Sequence, residues 1–155
     1  MIQADIFKTV VENIPLVSID FIVQRMSDEK ILLGKRVNKP ALEYYFTLGG
    51  RILKNETMKD AKKRIFKNEI GIDLSFETNF LGIFEHFYDD SIFDNTSTHY
   101  INFGYLVQID SELINLPKEQ HNEYKWLSID ELLRSDEVHQ YSKDYFSTLQ
   151  IGENK

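Results

Sequence analysis

The stretch GGRILKNETMKDAKKRIFKNEIGI, residues 49–72, decides the fold of this chain. Between Glu56 and Ile70 its apolar residues recur at helical spacing, and lysines fill much of the opposite face. This spacing predicts an amphipathic helix with one face on a hydrophobic core. Gly71 follows directly, at the position where a glycine commonly ends a helix. The apolar stripe consists of Met58, Ala61, Ile65, Phe66 and Ile70.

The rest of the chain alternates between strand and helix patterns. Runs rich in β-branched and aromatic residues predict strands, and the turn MSDEK between the first two predicts a hairpin. Because strands and helices mix without a regular βαβ repeat, the predicted fold class is α+β. The predicted strands are 15–24, 31–36, 44–48, 79–88, 99–109 and 125–127. The other predicted helices are 5–13, one capped by Ser128 with Glu131 three residues later, and 138–149.

Length and composition describe one domain. The 155 residues suffice for a single substantial core, and no linker or repeat divides them, so residues 1–155 are interpreted as one domain. Cysteine is absent, which fits a reducing compartment. No apolar run approaches the roughly 18–20 residues that span a bilayer. We therefore expect a cytoplasmic protein that does not enter a membrane.

The net charge is −7, which argues against nucleic acid as the main partner. More than half of the lysines and arginines nevertheless fall between Lys35 and Lys67. Such a basic band on an acidic protein suits a compact anion such as a diphosphate. A solvated helix face is the alternative, and it suffices for most of these lysines.

The spacing inside residues 49–72 resembles the Nudix box, G-x5-E-x7-R-E-U-x-E-E-x-G-U, where U is aliphatic. Ile65 and Asn68 stand where the family usually has glutamates, and Phe66 takes the first aliphatic position. The resemblance implies the Nudix fold, an α/β/α sandwich with a central mixed sheet. The matching positions are Gly50, Glu56, Arg64, Glu69, Gly71 and Ile72.

The same two gaps occur in the GDP-mannose mannosyl hydrolase branch of the Nudix hydrolases, and further blocks of this chain are similar to that branch. Together with the box, the resemblance covers residues 5–146. It implies Mg²⁺-dependent hydrolysis of GDP-mannose, with GDP-glucose as a second substrate, to GDP and free hexose by water attack at the anomeric carbon. The blocks are PLVSIDFIV (15–23), LLGKR (32–36), the aromatic run into GGR (44–51), HFYDD (86–90), THY (98–100) and EQHNEYKWL (119–127).

The two missing carboxylates change the expected chemistry. In a usual box, glutamates four residues apart share a helix face and gather several Mg²⁺ ions at a pyrophosphate. Here Ile65 stands four residues before Glu69, and the neutral Asn68 stands just before it. Glu69 alone predicts a single Mg²⁺, with Mn²⁺ as a substitute, neutralising a diphosphate leaving group. The attacking water then needs a base from elsewhere in the chain.

The metal ligands and the base follow from the resemblance. It implies a Mg²⁺ ion held by the Gly49 carbonyl, the Glu69 carboxylate and the Gln120 side-chain oxygen. It also implies that His121 takes a proton from the attacking water, a role that suits imidazole. Without the resemblance, Glu69 would be interpreted as a solvated helix acid and His121 as an ordinary surface histidine.

Substrate roles are carried over in the same way. Arg51 and Arg64 would grip the diphosphate, Arg36 would stabilise the departing GDP as the second catalytic residue, and Tyr100 would add a hydrogen bond. Guanidinium suits these roles because its planar fork meets phosphate oxygens in pairs. Glu56 is expected to brace Arg64 rather than to bind metal.

Asp20 and His86 would contact and orient the hexose. Asp20 lies inside an apolar strand pattern, SIDFIV, where an unpaired carboxylate is costly to bury. It must therefore have a partner or face a wet cleft. His86 has a simpler alternative as a hydrogen-bonded strand histidine.

Two other functions stay open at the level of sequence. One is a Nudix pyrophosphohydrolase that cuts between the phosphates of another nucleoside diphosphate derivative. The other is a nucleotide-binding module without turnover, suggested by Ile65, by Asn68 and by Leu48, which stands where the family commonly has proline. The resemblance further implies a homodimer.

Overall fold

A computed structural model describes residues 1–110, 116–118 and 121–153, with side chains up to residue 147. The helices and strands follow one another in an irregular order, as the sequence predicts. They are α1 (Ala4–Asn13), β1 (Leu16–Arg25), β2 (Ile31–Arg36), β3 (Tyr45–Phe46), β4 (Leu48–Arg51), α2 (Met58–Ile70), β5 (Thr78–Tyr88), β6 (Thr98–Ile109), β7 (His121–Leu127), α3 (Ile129–Arg134) and α4 (Gln140–Glu153).

The strands form one mixed sheet. Its order is β3-β2-β1-β6-β5, with β4 paired to β1 and β7 paired to β2. Strands β1 and β6 run parallel, whereas the other pairs are antiparallel. The predicted α+β architecture, a mixed sheet between helices, is confirmed.

Each face of the sheet carries its own hydrophobic core, because successive side chains of a strand point to opposite faces. In β1, Ile19, Phe21 and Val23 pack toward α2, whereas Ile22 packs toward α3 and α4. The α2 core also contains Leu32, Leu48, Ala61, Ile65, Phe66, Ile70, Val107 and Ile109. The opposite core contains Ile31, Leu33, Tyr45, Leu132, Val138, Tyr145 and Phe146.

Helix α2 forms as its spacing predicts. Its N-terminus is capped by Thr57, whose side chain accepts a hydrogen bond from the Asp60 amide, so the helix begins at Met58 rather than at Glu56. Gly71 ends it with φ of 90°, in the left-handed region. The buried stripe includes Phe66, whose ring meets the ring of Phe21 edge-on at 5.3 Å.

Two strand boundaries differ from the sequence prediction by three residues or more, and the predicted strand 44–48 divides into β3 and β4. Strand β4 runs through Gly49 and Gly50, which pair with Asp20 and Ile19, although glycine is uncommon in strands. Strand β7 begins at His121 instead of residue 125, because its pairing with β2 extends to Arg36. In both cases backbone pairing with a distant strand decides the boundary.

Among residues 1–110, 116–118 and 121–153, no helix is long and apolar enough to cross a membrane.

Gly104 of β6 makes room for Tyr145 of α4, which is fully buried. A Cβ atom at position 104 would lie 2.8 Å from a Tyr145 ring carbon. We expect Gly104→Ala to lower the free energy of unfolding by about 1–3 kcal/mol through overpacking, measured by urea denaturation. Gly50→Ala is the control, since its Cβ would meet Ile65 at an ordinary 3.4 Å. Equal stability of the two variants would contradict this account of the packing.

Candidate functional site

A group of buried polar side chains lies on the sheet face that packs against α4. The strands alternate, so these residues share that face with the apolar Ile22 and Leu106, which belong to the core further along the same strands. We call the group the polar floor, and it lines a cavity of about 80 Å³, the floor cavity. The polar floor consists of Ser18, Asp20, His86, Tyr88, Tyr100 and Asn102.

Asp20 has the partner and the cleft that its place in an apolar strand required. The Tyr145 hydroxyl donates a hydrogen bond to Asp20 Oδ2, and Asp20 lines the floor cavity while only 7% exposed. Burial raises the pKa of Asp20 to about 7, against the opposing effects of the Tyr145 hydrogen bond and the Arg36 charge. This carboxyl therefore changes its protonation state near neutral pH.

His86 is held at the floor by one hydrogen bond and one ring stack. Asn102 Nδ2 lies 2.6 Å from His86 Nδ1, and Asn102 Oδ1 accepts a hydrogen bond from the Ser18 hydroxyl. The imidazole stacks on the Tyr141 ring at 4.3 Å with an interplanar angle of 6°. Burial, together with nearby His139, lowers the pKa of His86 to about 4. The imidazole is therefore neutral at pH 7.

Three floor residues, Ser18, Tyr88 and Asn102, were missed at the level of sequence. Ser18 and Asn102 each interrupt an apolar strand pattern, SIDFIV and YINFGYL, in the same way as Asp20. The strand register places them side by side, Ser18 opposite Asn102. A polar residue inside a buried strand was thus a usable signal, but only the register shows that the two form one group.

Glu56 and Arg64, two of the positions that match the box, form a brace. Arg64 Nε lies 2.6 Å from Glu56 Oε1, and Arg64 Nη2 donates to Glu56 Oε2 at 3.1 Å and to the Arg51 carbonyl at 2.7 Å. Glu56 also accepts from the Leu53 amide at 2.9 Å, and the Arg64 hydrogen bond lowers the pKa of Glu56. The brace ties the middle of α2 to the end of β4 and to the loop between them.

A second cavity, the box cavity, lies beside this brace and measures about 290 Å³. Glu69 lines it at 8% exposure, and Gly49 lines it as well. His121 lies nearby, with its Nε2 3.8 Å from Glu69 Oε1. The cavity's other lining residues are Arg36, Gly50, Arg51, Leu53, Arg64, Ile65, Asn68 and Tyr100.

The residues at this cavity fit a magnesium ion. Glu69 is a nearly buried carboxylate that receives no hydrogen bond from any residue the structure describes, a costly arrangement unless a cation compensates it. Carboxylate and carbonyl oxygens are the hard ligands that Mg²⁺ prefers. Gln120, the third predicted ligand, lies outside the described residues. Across the described part of the chain, no three His, Cys, Asp or Glu side chains gather into a metal cluster.

His121 is buried rather than on the surface, with 1% of its area exposed. It begins β7 opposite Arg36 of β2. Its ring fills the space above Gly34, where a Cβ atom would lie 2.6 Å from the imidazole Cγ. His121 Nδ1 has no hydrogen-bond partner in the part of the chain that is described. The imidazole thus lies next to Glu69 but does not line the box cavity.

A third cavity, the N-terminal groove, measures about 260 Å³ and lies between α1 and the polar loops. Its walls are partly apolar, and it shares some of its lining residues with the other two cavities. Arg36, Arg51 and Tyr100 line all three cavities. The other groove residues are Phe7, Val11, Leu16, Asn38, Lys39, Pro40, Ser91, Ile92 and Thr98.

The two shared arginines are held without a carboxylate. Arg36 Nε donates to the Pro40 carbonyl at 2.7 Å, and the Arg51 guanidinium lies 4.2 Å from the centre of the Phe7 ring. Neither forms an ion pair with another described residue. Both positive charges therefore stay available for an anion where the three cavities meet.

The chain matches the NUDIX domain family model over residues 15–149. Together with the mixed sheet and the helix that carries the box, this match identifies the protein as a member of the Nudix family. Nudix hydrolases act on nucleotide derivatives and generally need a divalent metal ion, usually Mg²⁺.

One relative and two solved structures make the similarity concrete. The low-salt glycan biosynthesis protein Agl8 of Haloferax volcanii is 38% identical over 125 residues, which cover 80% of this chain and 78% of the relative. A MutT protein from Methanosarcina mazei has the same fold with a TM-score of 0.75 at 18% identity, covering 91% of this chain and 97% of its own. A MutT NUDIX hydrolase from Burkholderia pseudomallei gives a TM-score of 0.70 at 21% identity, with coverages of 87% and 98%.

Asp20 should make the stability of the protein depend on pH. Its folded pKa of about 7 lies above the ordinary value of 3.8, so the folded state favours the protonated carboxyl. The stability of wild type relative to Asp20→Asn should therefore fall as pH rises from 4 to 7, by roughly 4 kcal/mol at most. Denaturation of both proteins across this range measures it. The depressed pKa of His86 acts in the opposite direction but is common to both proteins, so a flat difference would refute the assignment.

Proposed function

We propose that this protein hydrolyses a nucleoside diphosphate sugar, GDP-mannose or GDP-glucose, to GDP and free hexose with the help of Mg²⁺. One observation carries the proposal: three cavities of different character meet at Arg36, Arg51 and Tyr100. A substrate made of a nucleoside, a diphosphate and a sugar has three parts that suit such an arrangement.

The diphosphate would lie at the meeting point and extend into the box cavity. Arg36 and Arg51 are free of carboxylate partners among the described residues, and Arg64 lines the same cavity, held by Glu56. Planar guanidinium groups bind phosphate oxygens in pairs. Tyr100, whose pKa burial raises while both arginine charges lower it, keeps its proton and donates a hydrogen bond to the diphosphate.

The hexose would occupy the floor cavity, because its lining offers the donors and acceptors that sugar hydroxyls need. Asp20, Asn102 and His86 stand there with Arg36 at the entrance. The nucleoside would occupy the N-terminal groove, where Phe7 and Ile92 supply apolar surface and Asn38 supplies an amide. This assignment puts the anomeric carbon between the polar floor and the arginines.

The metal would be held by Glu69, by the Gly49 carbonyl and by Gln120. A divalent ion held there, Mg²⁺ or Mn²⁺, would supply positive charge to offset that of the diphosphate. The fit rests on Glu69, a nearly buried carboxylate without a hydrogen-bond donor in the described ranges. Charge neutralisation at the leaving group needs fewer carboxylates than activation of a metal-bound water does.

Residues of this chain would accept the proton and stabilise the leaving group. His121 accepts a proton from the attacking water, whose oxygen forms a bond to the anomeric carbon. The bond between that carbon and the diphosphate oxygen breaks, and Arg36 stabilises the charge on the departing GDP. His121 lies next to Glu69 and is 1% exposed.

Two rival functions remain candidates. Cleavage between the phosphates would suit a fuller carboxylate cluster, whereas Ile65 and Asn68 leave Glu69 alone in this box. A module that binds only a nucleotide would not need a polar floor next to the diphosphate site. The relative that is 38% identical is named as a glycan biosynthesis protein, which supports a sugar-linked substrate.

A cytoplasmic homodimer is part of the same proposal. Strand β5 ends the sheet with three exposed aromatic and aliphatic side chains, Phe80, Ile83 and Phe87, at 55%, 60% and 58% exposure. A long apolar edge strand is usually covered in natural proteins. A second copy of this chain would cover it.

Product analysis in heavy-oxygen water tests the proposed reaction. Incubation with GDP-mannose and Mg²⁺ should yield intact, unlabelled GDP and labelled hexose, because water attacks carbon. GMP and sugar phosphate would instead establish cleavage between the phosphates. The Glu69→Gln variant, nearly isosteric with wild type, should lose most activity while retaining its fold. Binding of nucleotide sugar without any product would identify a module.

His121→Ala should reduce kcat by roughly 10²–10⁴, the usual loss for a removed general base. The KM for the nucleotide sugar should change much less, because a general base acts on the transition state rather than on the binding of the substrate. Steady-state kinetics of the two proteins measure both quantities. An unchanged kcat would assign the base role to another group.

A further inference from the structure

His86 has one ring nitrogen with a partner and one without. Nδ1 meets the Asn102 amide at 2.6 Å, whereas the buried Nε2 has no hydrogen-bond partner in the described part of the chain. A buried ring nitrogen without a hydrogen-bond partner costs free energy, whether or not it carries a proton, so its presence calls for an explanation. His86 lines the floor cavity, where a ligand can supply the missing partner.

The hydrogen bonds behind His86 have a direction. The Ser18 hydroxyl donates to Asn102 Oδ1, which turns the amide nitrogen of Asn102 toward the imidazole. An amide NH₂ group can only donate, so the facing Nδ1 must accept and carries no proton. A neutral imidazole has a single ring proton, which this chain of bonds assigns to Nε2.

We propose that Asn102, backed by Ser18, is a positioning residue that fixes His86 as an Nε2–H donor to a hydroxyl oxygen of the hexose in the floor cavity. The proposal rests on the proposed function and adds to it the residues that decide how His86 meets the sugar. The two side chains come from neighbouring strands in register, Ser18 of β1 opposite Asn102 of β6, and His86 lies on the next strand, β5.

The ring itself is held so that it cannot turn over to exchange its nitrogens. Tyr141 stacks on the imidazole at 4.3 Å, and the Tyr141 hydroxyl is anchored to the Phe87 backbone, with 2.8 Å to the carbonyl and 3.0 Å to the amide. The Phe46 ring stands near the imidazole at 6.1 Å. With the ring orientation fixed by packing, the polarity of the Asn102 amide alone selects the tautomer.

The tautomer can be observed directly in the wild-type protein without any substrate. Long-range proton–nitrogen NMR spectra of protein labelled with ¹⁵N distinguish a protonated ring nitrogen from a bare one. We expect His86 to be protonated at Nε2 and bare at Nδ1 at pH 7. A proton on Nδ1 would overturn the proposal, whatever the enzyme hydrolyses.

Two variants test whether the tautomer of His86 affects the reaction with the nucleotide sugar. Asn102→Asp places a carboxylate at Nδ1, which can only accept, so the proton should move to Nδ1. Asn102→Leu removes the partner altogether. Both variants should lose about tenfold or more in kcat/KM for the nucleotide sugar, and both should bind GDP as wild type does. Asn79→Asp, on the exposed part of β5, is the control for the added charge.

The outcomes separate this proposal from the proposed function. Unchanged kcat/KM in Asn102→Asp would refute the positioning role, as would an equal loss of GDP affinity, which would indicate general damage. Ser18→Thr keeps the hydroxyl and should keep the Nε2 tautomer, whereas Ser18→Ala should populate both tautomers. If wild type hydrolyses no nucleotide sugar, the proposed function fails, and the NMR result for His86 still decides the tautomer.

Discussion

The parallel pairing of β1 with β6 is the constraint on which the rest of the molecule depends. It sets Ser18 beside Asn102 and Asp20 beside Gly104 on one face, with Ile19 beside Phe103 on the other. A slip of one residue would turn the polar side chains into the α2 core and the apolar ones into the floor cavity. The register therefore specifies the core and the site at once.

Burying a polar floor costs stability, and the chain offsets the cost in stages. Tyr145 donates to Asp20, and it reaches the sheet only because Gly104 leaves space for its ring. Ser18 and Asn102 satisfy one another and one nitrogen of His86. What is left over is the Asp20 carboxyl, whose pKa burial raises to about 7, and the unpartnered His86 Nε2, and both residues line the cavity. The groups of this network that lack a full set of hydrogen-bond partners are thus the groups that a ligand can contact.

The sequence predicts the elements of this fold better than it predicts the site. Helix α2 follows from 3.6-residue spacing and its Gly71 end, and the Ser128 cap is confirmed by a hydrogen bond from the Glu131 amide. Local patterns suffice there because the signal lies within one segment. The burial of His121 depends instead on Gly34, 87 residues earlier by the numbering, which no local pattern connects to it.

Asp20 illustrates the same limit from the other side. Burial physics requires a partner or a wet cleft, and both exist, but the identity of the partner, Tyr145 of α4, follows only from the packing of that helix on the sheet. The three cavities are likewise invisible in sequence, because Arg36, Arg51 and Tyr100 come from three separate strands. Sequence spacing identifies residues that lie on the same helix or strand. A site, in contrast, combines residues from several helices and strands that meet on one face of the fold.

The substitution of Ile65 for a box glutamate has a consequence for charge as well as for metal. Ile65 is 1% exposed and packs in the α2 core, so a carboxylate there would have to be desolvated. With Glu56 engaged by Arg64, Glu69 is the one remaining carboxylate among the described residues that line the box cavity. Fewer nearby negative charges leave the field of Arg36 and Arg51 stronger at the meeting point of the cavities. In the proposed reaction, the departing diphosphate would be stabilised by that field directly, whereas attack by a metal-activated water would need the missing carboxylates.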